Sequence, residues 1–521
     1  MRRPLAALPA ILIAGALLIA GCSSPSGHSA ATASPSAAAT GAGSAAAGGS
    51  GALPTTIAGY DAQKLTWRPC NKGFQCARLL VPFDYQRPGW RRFSLPVIKL
   101  PVSHPAHRIG SLVVNPGGPG GSGIQYALQA RQVVSAAVRA RFDVVGFDPR
   151  GVGGSTPAVH CLTGPQLDKY FATTDNPVSQ AQLATVVSEA KLFARGCEQR
   201  SGALLPYVGT PNAARDMDVL RAALGDAKLT YLGKSYGTYL GTWYAQLFPT
   251  HVRALVLDGA VSPDESAFNM NLIQAQGFEV ALRSFTANCV RLASCPLGHG
   301  TVNAGIARLQ GLLNRTQTKP LPSEIAGQPA DSAMLLSGVA FALYSKSFWQ
   351  YLREGLTGAF AGNGTLMVAL ADSLTERQPS GQYSNLMDAN MAVNCIDRPV
   401  PRSLNAWRSA AASAATAAPQ FGAANMWGSL PCAYWPVPAA TPVPLRAAGA
   451  PPILVVGTTR DPATPFRWAQ ALAQDLKSGV LLGWNGDGHT AYLEGSSCVD
   501  TAVDRYLISL ATPRSGMICP G

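Results

Sequence analysis

Charge is scarce in this chain. Only 13% of its 521 residues are Asp, Glu, Lys or Arg, and the basic ones outnumber the acidic by 41 to 28, for a formal net charge of +13. The excess is scattered, and Arg87, Arg91 and Arg92 form its one tight cluster. A nucleic-acid surface needs a basic stripe interleaved with aromatics; without one, no nucleic-acid partner is expected and the charge reads as a solvated surface or an attraction to an anionic envelope. No C-x-x-C pair occurs, which removes the commonest zinc frameworks. No apolar run after residue 20 reaches the ~18 residues of a membrane span. The glycines at 117–121 lack the Lys-Ser/Thr ending of a phosphate-binding loop. Neither a metal nor a cofactor is implied. Histidine is rare too, with seven in all.

The N-terminus is a targeting segment. Arg2 and Arg3 precede an apolar stretch at 5–20, and Ala20-Gly21-Cys22 comes next. Residues 1–21 therefore read as a signal peptide. Cys22 resembles the lipidated cysteine of a bacterial lipobox, which would tie the chain to a membrane. Residues 23–51 are almost all Ser, Ala, Gly, Thr and Pro. Such a coil holds the body of the protein roughly 30 Å from its anchor, so 22–54 is read as a lipid-anchored linker. The expected location is the outer face of the cytoplasmic membrane, or the extracellular space after shedding. Export makes the ten remaining cysteines candidates for disulfides. Sequence does not determine their pairing. The arrangement with the shortest loops is Cys70–Cys76, Cys161–Cys197, Cys289–Cys295, Cys395–Cys432 and Cys498–Cys519.

The rest is too long for one simple core. Apolar β-prone runs occur at 77–85, 93–100, 111–115, 142–148, 229–232, 254–258, 452–457 and 480–484, with helix-length segments between most of them. That alternation predicts an α/β fold with a mostly parallel sheet covered on both faces. It fails from 264 to 449, where the patterns are helical. Residues 55–263 and 450–521 are thus read as one sheet domain, with 264–449 inserted as a helical cap between the last-but-two and last-but-one predicted strands.

Gly233-Lys234-Ser235-Tyr236-Gly237 lies between the run at 229–232 and a helical segment at 238–248. In that context G-x-S-x-G is a nucleophile elbow. Alone it is weak evidence, because with 53 glycines in the chain a chance occurrence is about an even bet. A serine nucleophile also needs a base and a group to orient it, in chain order Ser, acid, His. Of the histidines after Ser235, His251 falls at the wrong end of the sheet and His299 in the cap. His489 comes after the last predicted strand in a glycine-flanked loop. Asp461, after the strand at 452–457, is the first choice for the acid and Asp258 the rival; Asp487 is read as a turn residue. The oxyanion donors would be the N–H of Tyr236 and that of Gly118, with Gly117 as fallback.

The loop 117–121, the run 148–155 and the elbow together resemble the prolyl-aminopeptidase branch of the α/β-hydrolases. Asn115-Pro116, the stretch 394–397 and the Asp461/His489 segment resemble more narrowly the secreted tripeptidyl aminopeptidases of actinobacteria. The likeness spans about 65–519. It implies an α/β-hydrolase fold and a serine exopeptidase acting on peptides with a free N-terminus. Pro116 stands where the wider branch has His, so contacts made by that His are not expected. An aminopeptidase must hold the substrate ammonium, and Asp397, Glu265 and Asp264 are candidates, with Trp349, Tyr351 and Trp427 as possible pocket walls. The alternatives are an esterase, lipase or amidase using the same residues, or a non-catalytic binding lipoprotein.

Overall fold

The computed structural model describes residues 53–173 and 176–521. The signal segment, Cys22 and the linker up to residue 52 lie outside the described residues.

Ten strands form one sheet: β1 (Arg68–Cys70), β2 (Phe74–Pro82), β3 (Arg92–Leu100), β4 (Gly110–Asn115), β5 (Phe142–Phe147), β6 (Leu229–Lys234), β7 (Val252–Asp258), β8 (Ile453–Arg460), β9 (Gly479–Asp487) and β10 (Met517–Cys519). Their order is β1-β2-β3-β5-β4-β6-β7-β8-β9-β10. The first three pair antiparallel, as does β3 with β5; every later pairing is parallel. The apolar runs are continuous because helices cover both faces of the sheet. In β4, Val113 joins one core cluster while Leu112 and Val114 join the other; in β8, Val455 and Leu454/Val456 divide the same way. This is the mostly parallel, doubly covered sheet that the alternation of strands and helices predicts, and the α/β-hydrolase fold that the family resemblance implies.

All eight runs read from the sequence are strands. β1 and β10 were not read, being three residues long and held at the sheet edges by cysteines. Cys70–Cys76 staples β1 to β2, and Cys498–Cys519 ties β10 to the helix Ser497–Ser509. The other disulfides are Cys161–Cys197, Cys289–Cys295 and Cys395–Cys432.

Between β7 and β8 the chain is helical, from Ala267–Cys289 to Gly422–Gly428. These helices have a core of their own, including Leu282, Phe285, Leu309, Leu335, Val339, Leu352 and Met367. One of them, Leu386–Asp397, sits on the loop after β4: Asn390 donates to the Pro119 carbonyl at 3.0 Å. The helix Gln180–Ser201 lies outside this insertion, between β5 and β6.

The run 148–155 turns the chain after β5. Asp148 accepts from Ser122 Oγ (2.6 Å), Ile124 N (3.2 Å) and Gly154 N (2.8 Å). Arg150, fully buried, pairs with the equally buried Asp216 and donates to the carbonyls of Pro82, Phe83 and Tyr207.

Candidate active site

β6 ends at Lys234 and the helix Tyr236–Leu247 begins two residues on, so Ser235 alone must turn the chain. It does so at φ 57° and ψ −126°, a conformation costing on the order of 1–3 kcal/mol for a residue with a side chain. Its neighbours hold it there. Ser235 N–H donates to the Asp258 carbonyl (2.9 Å), and its own carbonyl accepts from Thr238 N–H (2.8 Å) and Oγ1 (2.7 Å). A Cβ on Gly233 would run into the Gly237 carbonyl, which is why the elbow needs glycine there. From Leu229 to Thr242, Ser235 is the one residue not buried.

The loop after β4 lies against this turn. At Gly117, where φ is 94°, a Cβ would come within 2.9 Å of both Ser235 Cβ and Tyr236 N. Gly117 N–H is committed to Asn115 Oδ1 at 2.9 Å. The Gly118 N–H has no hydrogen-bond acceptor among the described residues. Tyr236 N–H opens its helix, where no residue four back can accept from it within the helix. The N–H groups of Gly118 and Tyr236 are thus left free on the side of Ser235, while Asn115, whose bond the sequence reading missed, occupies that of Gly117.

His489 lies just past β9. Its N–H donates to the carbonyl of Tyr344, a residue of the inserted helices, at 2.7 Å. Its Nδ1 lies 2.9 and 3.0 Å from the two oxygens of Asp461. A carboxylate only accepts, so Nδ1 carries the proton and Nε2 is the basic nitrogen. Nε2 is buried and without a partner among the described residues. The ring packs over the end of β7: a Cβ on Gly259 would lie 3.2 Å from His489 Cε1. The turn Asp258–Gly259 therefore holds Ser235 on its carbonyl and His489 on its face.

Asp461 is buried and saturated. It accepts from Ala463 N (2.9 Å), Thr464 N (2.8 Å), Thr464 Oγ1 (3.0 Å) and Thr490 N (3.1 Å) besides the imidazole. Thr464 Oγ1 also stands 3.2 Å from His489 Nδ1. Only its place three residues after Asp461 could have pointed to it.

Asp258 has a different task. It accepts from Ala491 N (2.9 Å) and Tyr492 N (3.0 Å), fixing the loop beyond His489. Lys234 lies 3.9 Å from it and donates to the Tyr492 carbonyl at 3.0 Å. Burial works against the Lys234 charge, but Tyr126, Asp258 and Glu494 outweigh it and hold its pKa above the ordinary value. Asp487 pairs with Arg460 at 2.7 Å, His251 bonds Asp218 at 2.8 Å, and His299 is exposed in a loop.

Ser235, Tyr236, Gly118 and Thr464 line a cavity of about 750 Å³, to whose wall the inserted helical region contributes Met391, Asn394, Phe421 and Trp427. The candidates for holding an ammonium must be corrected. Asp397 does not line the cavity; its carboxylate lies behind Tyr236, bonded to Thr210 N–H (2.9 Å) and to Thr210 Oγ1, which also meets the Tyr236 hydroxyl. Burial pushes its pKa up to about 6 against the pull of Thr210 and Arg398. Glu265 bonds Asn269 and Asp264 pairs with Arg446 at 3.0 Å, both away from the cavity wall. Trp349 and Tyr351 are not on the wall either: Trp349 packs against Phe285 in the core of the insertion.

Residues 418–519, which hold Asp461, Thr464 and His489, match the family described as TAP-like protein. Serine protease Hip1 of Mycobacterium tuberculosis is 39% identical over 88% of this chain and 91% of its own. Carboxylesterase B of the same organism is 38% identical over 90% of this chain and 92% of its own. The tripeptidyl aminopeptidase of Streptomyces coelicolor is 34% identical over 87% and 86%. The chain belongs to the TAP-like α/β-hydrolases. The TAP-like match itself begins after Ser235, so it covers the segments of Asp461 and His489 while the relatives extend the likeness across the turn at Ser235.

Proposed function

We propose that this chain is a serine exopeptidase that releases short peptides from the free N-terminus of its substrates. The observation that carries the reading is the convergence on one cavity wall of an accessible Ser235, uncommitted N–H groups at Gly118 and Tyr236, and a His489–Asp461 pair behind them. Ser235 Oγ attacks the scissile carbonyl carbon while its proton passes to His489 Nε2. The carbonyl oxygen gains the charge and is held by the two N–H groups, each worth about 3–4 kcal/mol in the transition state. Asp461 keeps the imidazole in the needed tautomer and stabilises its charged form. His489 then gives the proton to the leaving amine, and water repeats the sequence in reverse to free the acyl group.

The peptidase reading draws on the relatives named as a serine protease and a tripeptidyl aminopeptidase. The relative named Carboxylesterase B favours an esterase as the second reading. Tripeptide p-nitroanilides with free and acetylated N-termini, assayed beside short p-nitrophenyl esters, separate the two. The exopeptidase is expected to cleave the free form at least about tenfold faster in kcat/KM, since an unpaired buried charge is costly. Equal rates on both forms, with faster ester cleavage, would install the esterase instead.

The setting proposed is export and anchoring by lipid on Cys22, with five disulfides suited to an oxidising compartment. Cys22→Ala is expected to move activity from the membrane fraction to the medium. Unchanged fractionation, or an unlipidated mature N-terminus by mass spectrometry, would remove the anchor.

A further inference from the structure

Two side chains with a formal charge line the cavity among the described residues, Glu189 and Arg398. Every other lining residue is neutral, and many are apolar, among them Val186, Phe193, Met270 and Trp427. Glu189 lies on the helix Gln180–Ser201, outside the inserted cap. Val186, Ala190 and Phe193 of that helix also line the cavity, so Glu189 sits in the middle of its cavity-facing stripe.

That is a poor place for a lone carboxylate. Glu189 is 3% exposed. Its Oε1 lies 2.7 Å from Lys169 Nζ, but the Lys169 side chain is 69% exposed and its charge is shared with solvent. Oε2 is buried and has no hydrogen-bond partner among the described residues. A buried carboxylate oxygen without a donor is destabilising, and a cationic ligand carrying N–H groups removes that cost.

We infer that Glu189 is the anchor for the substrate's α-ammonium group, taking it on Oε2 while Lys169 holds Oε1. This rests on the exopeptidase reading and assigns it a specificity residue. An ammonium is compact and carries three donors, matching a carboxylate oxygen on a wall that otherwise has no negative charge. Arg398 adds direction. Its guanidinium lies 4.4 Å over the Tyr239 ring, with Nε and Nη2 buried and unpartnered among the described residues. It repels an ammonium and offers donors to peptide carbonyls. A bound peptide is therefore polarised along the cavity, with its N-terminus at Glu189.

The test is the ratio of kcat/KM for a free tripeptide p-nitroanilide to that for its N-acetyl form, measured on wild type, Glu189→Gln and Glu265→Gln. Glu189→Gln keeps the shape and removes the charge. It is expected to lower the ratio about 10- to 100-fold, mainly through the KM of the free substrate, while Glu265→Gln, which removes a carboxylate away from the cavity wall, keeps it within about twofold. A ratio unmoved by Glu189→Gln would overturn the assignment. So would an equal loss in Glu265→Gln, which would mean that the ratio follows the overall charge and not a contact on the cavity wall. A wild-type ratio near one would remove the exopeptidase reading along with the anchor. A high wild-type ratio indifferent to Glu189 would remove the anchor alone.

Discussion

Ser235→Ala is expected to lower kcat by about a millionfold while leaving the unfolding midpoint where it is. The rate figure is the typical loss when the nucleophile of a serine hydrolase is removed, with the residual rate supplied by the oxyanion donors. The stability expectation comes from the turn. Alanine at φ 57° bears the same backbone strain as serine. The bonds that pin the position all run through main-chain atoms of residue 235, to Asp258 and Thr238, and none uses its hydroxyl. Initial rates on the best substrate and a urea titration of both proteins check the two halves. Activity above about a hundredth of wild type would end the proposed role of Ser235. A lost midpoint with activity to match would mean only that the turn had failed. Asp461→Ala provides a contrast: four donors besides the imidazole would lose their acceptor, so it should damage fold and rate together.

Arg150→Met is expected to be the most destabilising single change away from the site, costing about 3–5 kcal/mol. Arg150 and Asp216 are both fully buried. Without the guanidinium, Asp216 keeps the Tyr85 hydroxyl at 2.7 Å as a donor and the charge of Arg215 in its neighbourhood but loses its paired counter-charge, and the carbonyls of Pro82, Phe83 and Tyr207 each lose a donor. Domains are stable by only about 5–15 kcal/mol, so the loss is a large share of the whole. Replacing both partners, Arg150→Met with Asp216→Leu, should recover part of it, because the stranded charge goes too. Urea denaturation of the single and double variants gives the comparison. A single variant within about 1 kcal/mol of wild type would show that the buried pair contributes little.

The sheet was legible because its inner strands are buried on both faces and write themselves as unbroken apolar runs. β1 and β10 were not, since three-residue edge strands stapled by Cys70–Cys76 and Cys498–Cys519 leave too short a pattern to read. The order of Ser235, Asp461 and His489 could be read because the fold ties each to the end of a particular strand. Asp397 misled because position in the inserted helices does not reveal rotation: its helix turns that residue toward Thr210, while Asn390, Met391 and Asn394 of the same helix reach the cavity. Glu189 went unnoticed for the opposite reason. One of two carboxylates, with Glu198, on a helix that also carries Gln, Lys and Arg looks like part of a solvated surface. Its burial comes from helices more than 200 residues away in the chain, such as the one carrying Trp427.

The bond from His489 N–H to the Tyr344 carbonyl bears on how a substrate arrives. It fastens the proposed proton carrier to the roof of the cavity. A roof that swung open to admit a bulky chain would pull on the group that makes the chamber reactive. On the proposed exopeptidase reading, a substrate that enters by threading leaves this bond in place. The proposal then carries a selection by girth before chemistry begins: a loose peptide end would reach Ser235, whereas a folded protein surface would be stopped outside the cavity.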